Sequence, residues 1–214
     1  MKNKEKSLRF EKKHMGKIFF IMGKSASGKD TVYKELQKRI PSLRIVRMYT
    51  TRPKRDGETD GIEYYFKDSR FLEECRRSGR LIECRTYDTV YGPWSYFTVD
   101  DGQIDLSGGS YLMMGTLESY EKIRGAYGEE ALVPIYICVE DGLRLARALE
   151  RERRQREPKY KELCRRYLAD EEDFSQEKLK KSNITKEYDN TDLEACLGEI
   201  ERDILNGLSP GGVV

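Results

Sequence analysis

Short apolar runs alternate with amphipathic stretches along most of this chain. The first run, Ile18-Phe19-Phe20-Ile21-Met22, has no polar interruption and has the length of a strand buried on both faces. Val32, Leu36 and Ile40 follow at i, i+4 and i+8, which predicts a helix that Pro41 closes. The segment 43–49 is rich in β-formers and reads as a strand. Tyr111-Leu112-Met113-Met114 is a short buried strand, followed by a helix with Leu117, Tyr120 and Arg124 spaced around it. Residues 132–139 read as another strand, in which Pro134 predicts an edge position or an early bulge. From 142 to about 181 the chain is charged and helical, with Leu143, Ala146 and Leu149 on one face. Leu193, Cys196 or Leu197, Ile200 and Ile204 make a last amphipathic helix, capped by Asn190 or Thr191. This β-α alternation predicts an α/β fold, a parallel sheet with helices on both faces.

Between the first apolar run and the first helix lies Gly23-Lys24-Ser25-Ala26-Ser27-Gly28-Lys29-Asp30-Thr31. Strand, glycine loop and helix in this order are what a phosphate-binding P-loop requires. Its glycines let the chain wrap a phosphate so that backbone N–H groups point at the oxygens, and the helix aims its positive end at the anion. Lys29 is spaced to reach the β- and γ-phosphates. The stretch predicts a nucleoside triphosphate site over these nine positions. Its match to G-x-x-x-x-G-K-[ST] departs only at the end, where Asp30 replaces the hydroxyl that usually meets Mg²⁺. A carboxylate is an equally hard oxygen ligand, and Thr31 offers a hydroxyl one residue on. The alternative is that Asp30 only stabilises the helix N-terminus, an effect of about 0.3–1 kcal/mol.

Composition narrows the classes. At 214 residues the chain is long enough to bury a core, and Lys+Arg 40 against Asp+Glu 38 gives no bulk argument for nucleic-acid or membrane binding. No stretch approaches the roughly 20 apolar residues that span a bilayer. The basic start, residues 1–15, lacks the apolar core of a signal peptide and reads as a disordered tail. Cys75, Cys84, Cys138, Cys164 and Cys196 form no Cys-x-x-Cys pair, which fits reduced thiols in the cytoplasm. His14, the only histidine, lies in the tail, so catalysis must rest on Lys, Arg, carboxylates and metal.

Two segments interrupt the alternation: residues 50–103, rich in Tyr, Arg and Gly, and the arginine-dense stretch 142–181. The first begins Thr50-Thr51-Arg52-Pro53-Lys54-Arg55-Asp56-Gly57-Glu58 and continues Gly61-Ile62-Glu63-Tyr64-Tyr65-Phe66. Two arginines flanking a proline-stiffened turn suit a bound phosphate. Placed after a P-loop, this pattern resembles the acceptor-nucleotide domain of the guanylate kinase family. The resemblance continues through Gly79-Arg80-Leu81-Ile82-Glu83 and Tyr91-Gly92 and runs from about Gly16 to Leu205. It implies a P-loop NTPase-type parallel sheet flanked by helices, with an inserted acceptor-nucleotide domain and a helical lid. It implies that Arg52, Arg55, Tyr64 and Tyr91 hold the phosphate of GMP and that Glu83 accepts from guanine N1–H and the 2-amino group. Arg147, Arg151 and Arg166 match arginines that close over the transferring phosphoryl group. Tyr188-Asp189-Asn190 resembles the segment beside the donor adenine, which adds Asn190 to the ATP site.

Two positions depart from the family. Met48 stands where a serine usually donates to guanine O6, and Tyr111-Leu112-Met113-Met114-Gly115-Thr116 lacks the acidic residues that assist base recognition and the metal site. A lost O6 donor is expected to weaken guanine binding by about 1–3 kcal/mol if that oxygen stays unpaired.

The reading that results is an ATP-dependent, Mg²⁺-requiring nucleoside monophosphate kinase acting on GMP or dGMP. Lys29, Arg52 and the lid arginines stabilise the transferring charge, and neither nucleic acid nor membrane is a partner. A kinase of the same fold with another small acceptor, or a non-catalytic guanylate-kinase-like binding module, are the alternatives; the sequence says nothing of oligomeric state. The expected organisation is a tail at 1–15 and a guanylate-kinase-like domain at 16–206. Within it the core is 16–49, 104–141 and 182–206, the insert 50–103 and the lid 142–181, with a flexible end at 207–214.

Overall fold

A computed structural model describes residues 15–89 and 92–208. Strand β1, Ile18–Met22, is buried at every position. Helix α1, Lys29–Arg39, follows the glycine loop, with Val32 and Leu36 on its buried side. The expected strand at 43–49 forms as two short pieces instead, β2 at Arg44–Ile45 and β3 at Tyr49–Thr50. They belong to different sheets, so this segment is a crossover from one sheet to the other. The insert adds β4 at Tyr65–Phe66, α2 at Ser69–Arg77, and a long hairpin of β5, Leu81–Thr89, and β6, Gly92–Val99. Then come β7, Tyr111–Met114; α3, Leu117–Tyr127; β8, Leu132–Cys138; α4, Asp141–Arg153; α5, Tyr160–Asp173; α6, Gln176–Lys181; β9, Glu187–Asp189; and α7, Leu193–Leu208.

The main sheet runs β2-β7-β1-β8-β9 with every pairing parallel. Period-two alternation along β1 divides the core between its faces. Ile18, Phe20 and Met22 pack with Met113, Tyr120, Ile123, Tyr136 and Phe174 on one side. Phe19 and Ile21 pack with Leu36, Leu112, Ile137, Leu197, Ile200 and Ile204 on the other. Burying each such side chain contributes about 1.5–3 kcal/mol. The smaller sheet, β4-β3-β6-β5, packs Tyr49, Phe97 and Val99 against Leu72 and Cys75 of α2.

Three expectations need correction. Pro134 lies in an interior strand, paired with β1 opposite Phe20. β9, however, reaches only Tyr136 to Cys138, so on that side no strand faces Pro134 and its missing N–H is tolerated. On α4 the inward residues are Arg144, Ala148 and Glu152, not Leu143, Ala146 and Leu149. Arg144 is buried because Asp141, Asp170 and Glu171 pair with it, and Glu152 because it accepts from the Lys159 N–H and from Gln155. The cap of α7 is Asp192, which accepts from Ala195 N–H at 2.9 Å, rather than Asn190 or Thr191. The expected tail and flexible end lie mostly outside the described residues.

Gly115, between β7 and α3, lies in a confined space. A methyl group there would sit 2.4 Å from Ser119 Oγ and 2.7 Å from Phe20 Cζ. Ser119 is fixed by the capping box it forms with Thr116, and Phe20 is fully buried. Gly115→Ala is therefore expected to lower stability by about 1–3 kcal/mol through overpacking, read from the midpoint of denaturant unfolding.

Candidate active site

The phosphate loop leaves the carboxyl end of β1, and Ala26 and Gly28 take left-handed backbone conformations at φ 64° and 89°. Glycine is required at 28, where a Cβ would stand 2.1 Å from Asn190 Nδ2. That amide donates to Ser27 O at 2.8 Å, so the segment after β9 is fastened to the loop. Ser27 Oγ and Asn190 Oδ1 are buried polar atoms without a partner among the described residues. α1 begins at Lys29, directing its N-terminal amides and dipole at the loop's concavity. Asp30 and Thr31 follow, both exposed on the first turn. Among the described residues no group of three or more His, Cys, Asp or Glu could hold a metal alone. Two adjacent hard oxygens fit Mg²⁺ all the same, because that ion keeps most of its waters and takes further oxygens from phosphates.

The small sheet turns one face to α2 and the other to the loop side. Along β5 and β6, Glu83 pairs across from Thr98 and Arg85 from Tyr96, and Tyr96 also faces Thr50 of β3. These residues share a face by the two-residue period. Arg52 is only 3% exposed and forms a two-pronged pair with Glu58, both contacts 2.8 Å. Its guanidinium lies 5.6 Å from the Tyr64 ring and 5.3 Å from the Phe66 ring, and its Nε has no partner among the described residues. A buried guanidinium with a donor to spare suits a phosphate oxygen. Arg55 is exposed, with its backbone N–H on Glu58 at 2.8 Å. Tyr64 packs edge-on to Tyr96, and its hydroxyl pKa is raised first by burial, then by Tyr96 and Asp30, against the lowering effect of Arg52. Asp30 of the loop is thus near enough to act on the Tyr64 hydroxyl through space. Tyr91 lies outside the described residues.

Arg85, absent from the sequence-derived site, is the residue this face adds. Its Nε donates to Glu83 at 3.1 Å and its Nη1 to Thr116 Oγ1 at 3.2 Å, while Nη2 lies 3.6 Å from Met48 Sδ. It therefore joins the small sheet to the end of β7, beside Met48 and Thr116. Its spacing two residues after Glu83 on a strand was the available signal.

Helices α4 and α5 pack over the other side of the loop. Asp170 Oδ2 accepts from the Ser25 backbone N–H at 2.9 Å, and Lys24 Nζ reaches Glu171 at 2.8 Å. Arg144 lies between Asp141, Asp170 and Glu171 with its guanidinium 4.0 Å from the Tyr167 ring. Arg147 donates from Nη1 and Nη2 to the one backbone carbonyl of Asn190 at 3.0 and 3.1 Å, so it is tied to the segment beside the loop. Arg151 is exposed, and Arg166 pairs with Glu162 at 2.8 Å on the surface of α5. In this arrangement the three arginines do not converge on one point. A cleft of about 510 Å³ opens beside the loop between Lys24, Ser27, Cys138, Glu140, Arg144 and Gln176.

A left-handed glycine loop at the end of a central parallel strand, with a helix opening on its lysine, defines a P-loop α/β protein. Residues 15–98 match the family model described as Guanylate kinase. The guanylate kinase of Symbiobacterium thermophilum is 38% identical over 81 residues, which cover 37% of this chain and 38% of that protein. That of Oceanobacillus iheyensis is 36% identical over 95 residues, 42% of this chain and 46% of that protein. The chain thus aligns with less than half the length of these curated relatives. Over the whole fold it resembles the crystal structure of guanylate kinase from Anaplasma phagocytophilum, with a TM-score of 0.62 at 21% identity, covering 92% of this chain and 88% of the other. Residues 15–98 are thus similar to the Guanylate kinase family model, and the overall fold is the one that structure has.

Pairing with Arg52, more than any other contact, holds the Glu58 carboxyl down at a pKa of about 2. A depressed carboxylate contributes stability above its ordinary pKa and loses it as pH falls toward the depressed value. The stability gap between wild type and Glu58→Gln is therefore expected to be constant above pH 4.5 and to close between there and pH 2. Chemical denaturation across that range measures it; a gap that stays constant down to pH 2 would show the pair to be without this effect.

Proposed function

We propose that this chain is an ATP-dependent nucleoside monophosphate kinase that converts GMP or dGMP to GDP or dGDP. The observation that supports this reading best is the presence of two separate anion sites. An amide-lined loop with Lys29 and a buried Arg52, whose Nε has no partner among the described residues, occur in one chain. One site takes the donor's phosphates and the other takes the acceptor's.

The acceptor phosphate oxygen attacks the γ-phosphorus in line, and the bond to the β-phosphate oxygen breaks, releasing ADP. The attacking oxygen is already anionic, so no protein base is required and catalysis consists of positioning and charge stabilisation. Residues Gly23 to Thr31 hold the triphosphate through their amides, and Lys29 draws charge toward the β–γ bridge. Arg52 exchanges Glu58 for the acceptor phosphate, with Arg55, Tyr64 and Tyr91 around it. Asp30 and Thr31 would hold Mg²⁺, which when bound neutralises phosphate charge. Arg151 and Arg166 lie on lid helices that close over the transferring group, while Arg147 and Asn190 line the donor side. Closure excludes the water that would otherwise hydrolyse ATP.

Among the described residues no helix is long and apolar enough to cross a membrane. The five cysteines are free thiols, which suits the reducing cytoplasm. Met48 and the missing acidic residues favour a second reading, the same transfer to a different small acceptor.

Lys29→Ala is expected to reduce turnover at least 100-fold with little change in unfolding midpoint, since Lys29 serves a site and not the core. Coupled ADP-release rates across GMP, dGMP, AMP, UMP and CMP decide the acceptor. A guanine preference supports the first reading, its absence supports the second, and no transfer to any of them sinks both. Asp30→Ala is expected to raise the Mg²⁺ concentration that gives half-maximal rate, with Asp30→Ser partly restoring it. Superimposable Mg²⁺ titrations would leave Asp30 only its effect on the helix terminus.

A further inference from the structure

Glu83 and Arg85 form an almost dry ion pair on the open face of the small sheet, their side chains 1% and 9% exposed. Glu83 accepts from Thr98 Oγ1 at 2.9 Å through one oxygen and from Arg85 Nε at 3.1 Å through the other. Each oxygen keeps a lone pair. The guanidinium has five N–H groups. Among the described residues one goes to Glu83, one to Thr116 and one to the Met48 thioether at 3.6 Å, a weak acceptor. A buried pair like this is poorly explained by stability alone, since an apolar pair of similar volume serves as well or better. It does present a carboxylate that only accepts beside a guanidinium that only donates. By the rise of an extended strand, the two positions stand roughly 6.5 Å apart along β5.

We propose that Arg85 is a specificity-determining residue that donates to the 6-oxo edge of the acceptor purine while Glu83 accepts from the adjoining N–H groups. The identity of the site rests on the kinase reading above. Guanine carries, in order, the 2-amino group, N1–H, O6 and N7: donors first and acceptors after. That order matches Glu83 followed by Arg85. Adenine places an amino group where guanine has O6, setting donor against donor, and its N1 has no proton for Glu83. Met48 cannot donate, and Arg85, with Nη2 beside its sulfur, brings a donor to the place where one would otherwise be missing. The expected weakening from a lost O6 donor is thereby offset.

The experiment is equilibrium binding of GMP, IMP, AMP and 2-aminopurine ribonucleoside monophosphate to wild type, Arg85→Met and Arg85→Lys. Unfolding midpoints and binding of a fluorescent ATP analogue check that each variant is folded. IMP keeps the 6-oxo group without the 2-amino group, and the 2-aminopurine nucleotide has the reverse. Wild type is expected to bind GMP and IMP at least tenfold tighter than the other two. Arg85→Met is expected to lose at least tenfold for GMP and IMP and less than threefold for the 2-aminopurine nucleotide. Arg85→Lys, which keeps the charge and one donor, recovers part of the loss. Equal losses for all four nucleotides, or a 6-oxo preference that survives Arg85→Met, would overturn the proposal. If Arg85→Met does not fold, Arg85→Lys carries the same comparison through a smaller but still 6-oxo-selective loss. GMP binding that depends on Arg85 without phosphoryl transfer would sink the kinase reading alone. Transfer to GMP with unselective losses would sink this inference alone.

Discussion

Burial of β1 is the constraint from which the rest of the molecule follows. All of its side chains are shielded, and it has strands on both edges, β7 and β8. A strand in that position demands an apolar layer on each face, which α1 and α7 supply on one side and α3, Phe174 and α6 on the other. It also forces its own exit into the open only at the carboxyl end, where the glycine loop begins. The ends of β7, β8 and β9 arrive at the same edge because all pairings are parallel. Thr116, Asp141 and Asn190 are thereby brought around the loop without being near it in the chain.

At that edge, cations and amides suited to anions are occupied by the protein's own carboxylates. Glu58 sits on Arg52, Glu83 on Arg85, and Asp170 and Glu171 on Ser25 N–H, Lys24 and Arg144. A buried guanidinium left bare would carry a desolvation cost of several kcal/mol, so pairing is what allows it to wait in a dry site. Any anion that binds at these groups exchanges for one of these carboxylates rather than filling an empty positive hole. Affinity so obtained is lower than the bare Coulomb attraction would give. In return the folded state does not carry unpaired charge.

The two halves of the chain differ in how readily they could be read. Residues 15–98 hold the glycine loop, the Thr-Thr-Arg-x-x-Arg turn and Glu83, where local sequence and chemistry coincide, and this is also the span of the family model. After it, the charged stretch 142–181 offers only apolar periodicity to read. That failed on α4 because two of its inward residues, Arg144 and Glu152, are charged and buried against partners far along the chain or across a turn. The break of 43–49 into β2 and β3 was invisible for a similar reason. β-propensity says that a residue favours extension but not which sheet it joins.

From sequence alone came the parallel α/β architecture and the glycine loop between strand and helix, since strand and helix periods and a glycine spacing are properties of neighbours in the chain. Only the tertiary structure decided that Asn190 fastens the loop, that Asp170 takes a loop amide, and that Arg85 stands between Glu83, Thr116 and Met48. Those contacts join residues 31 to 163 positions apart, apart from Arg85 with Glu83. No local pattern encodes them, because they exist only once the sheet has brought separate strand ends to one edge.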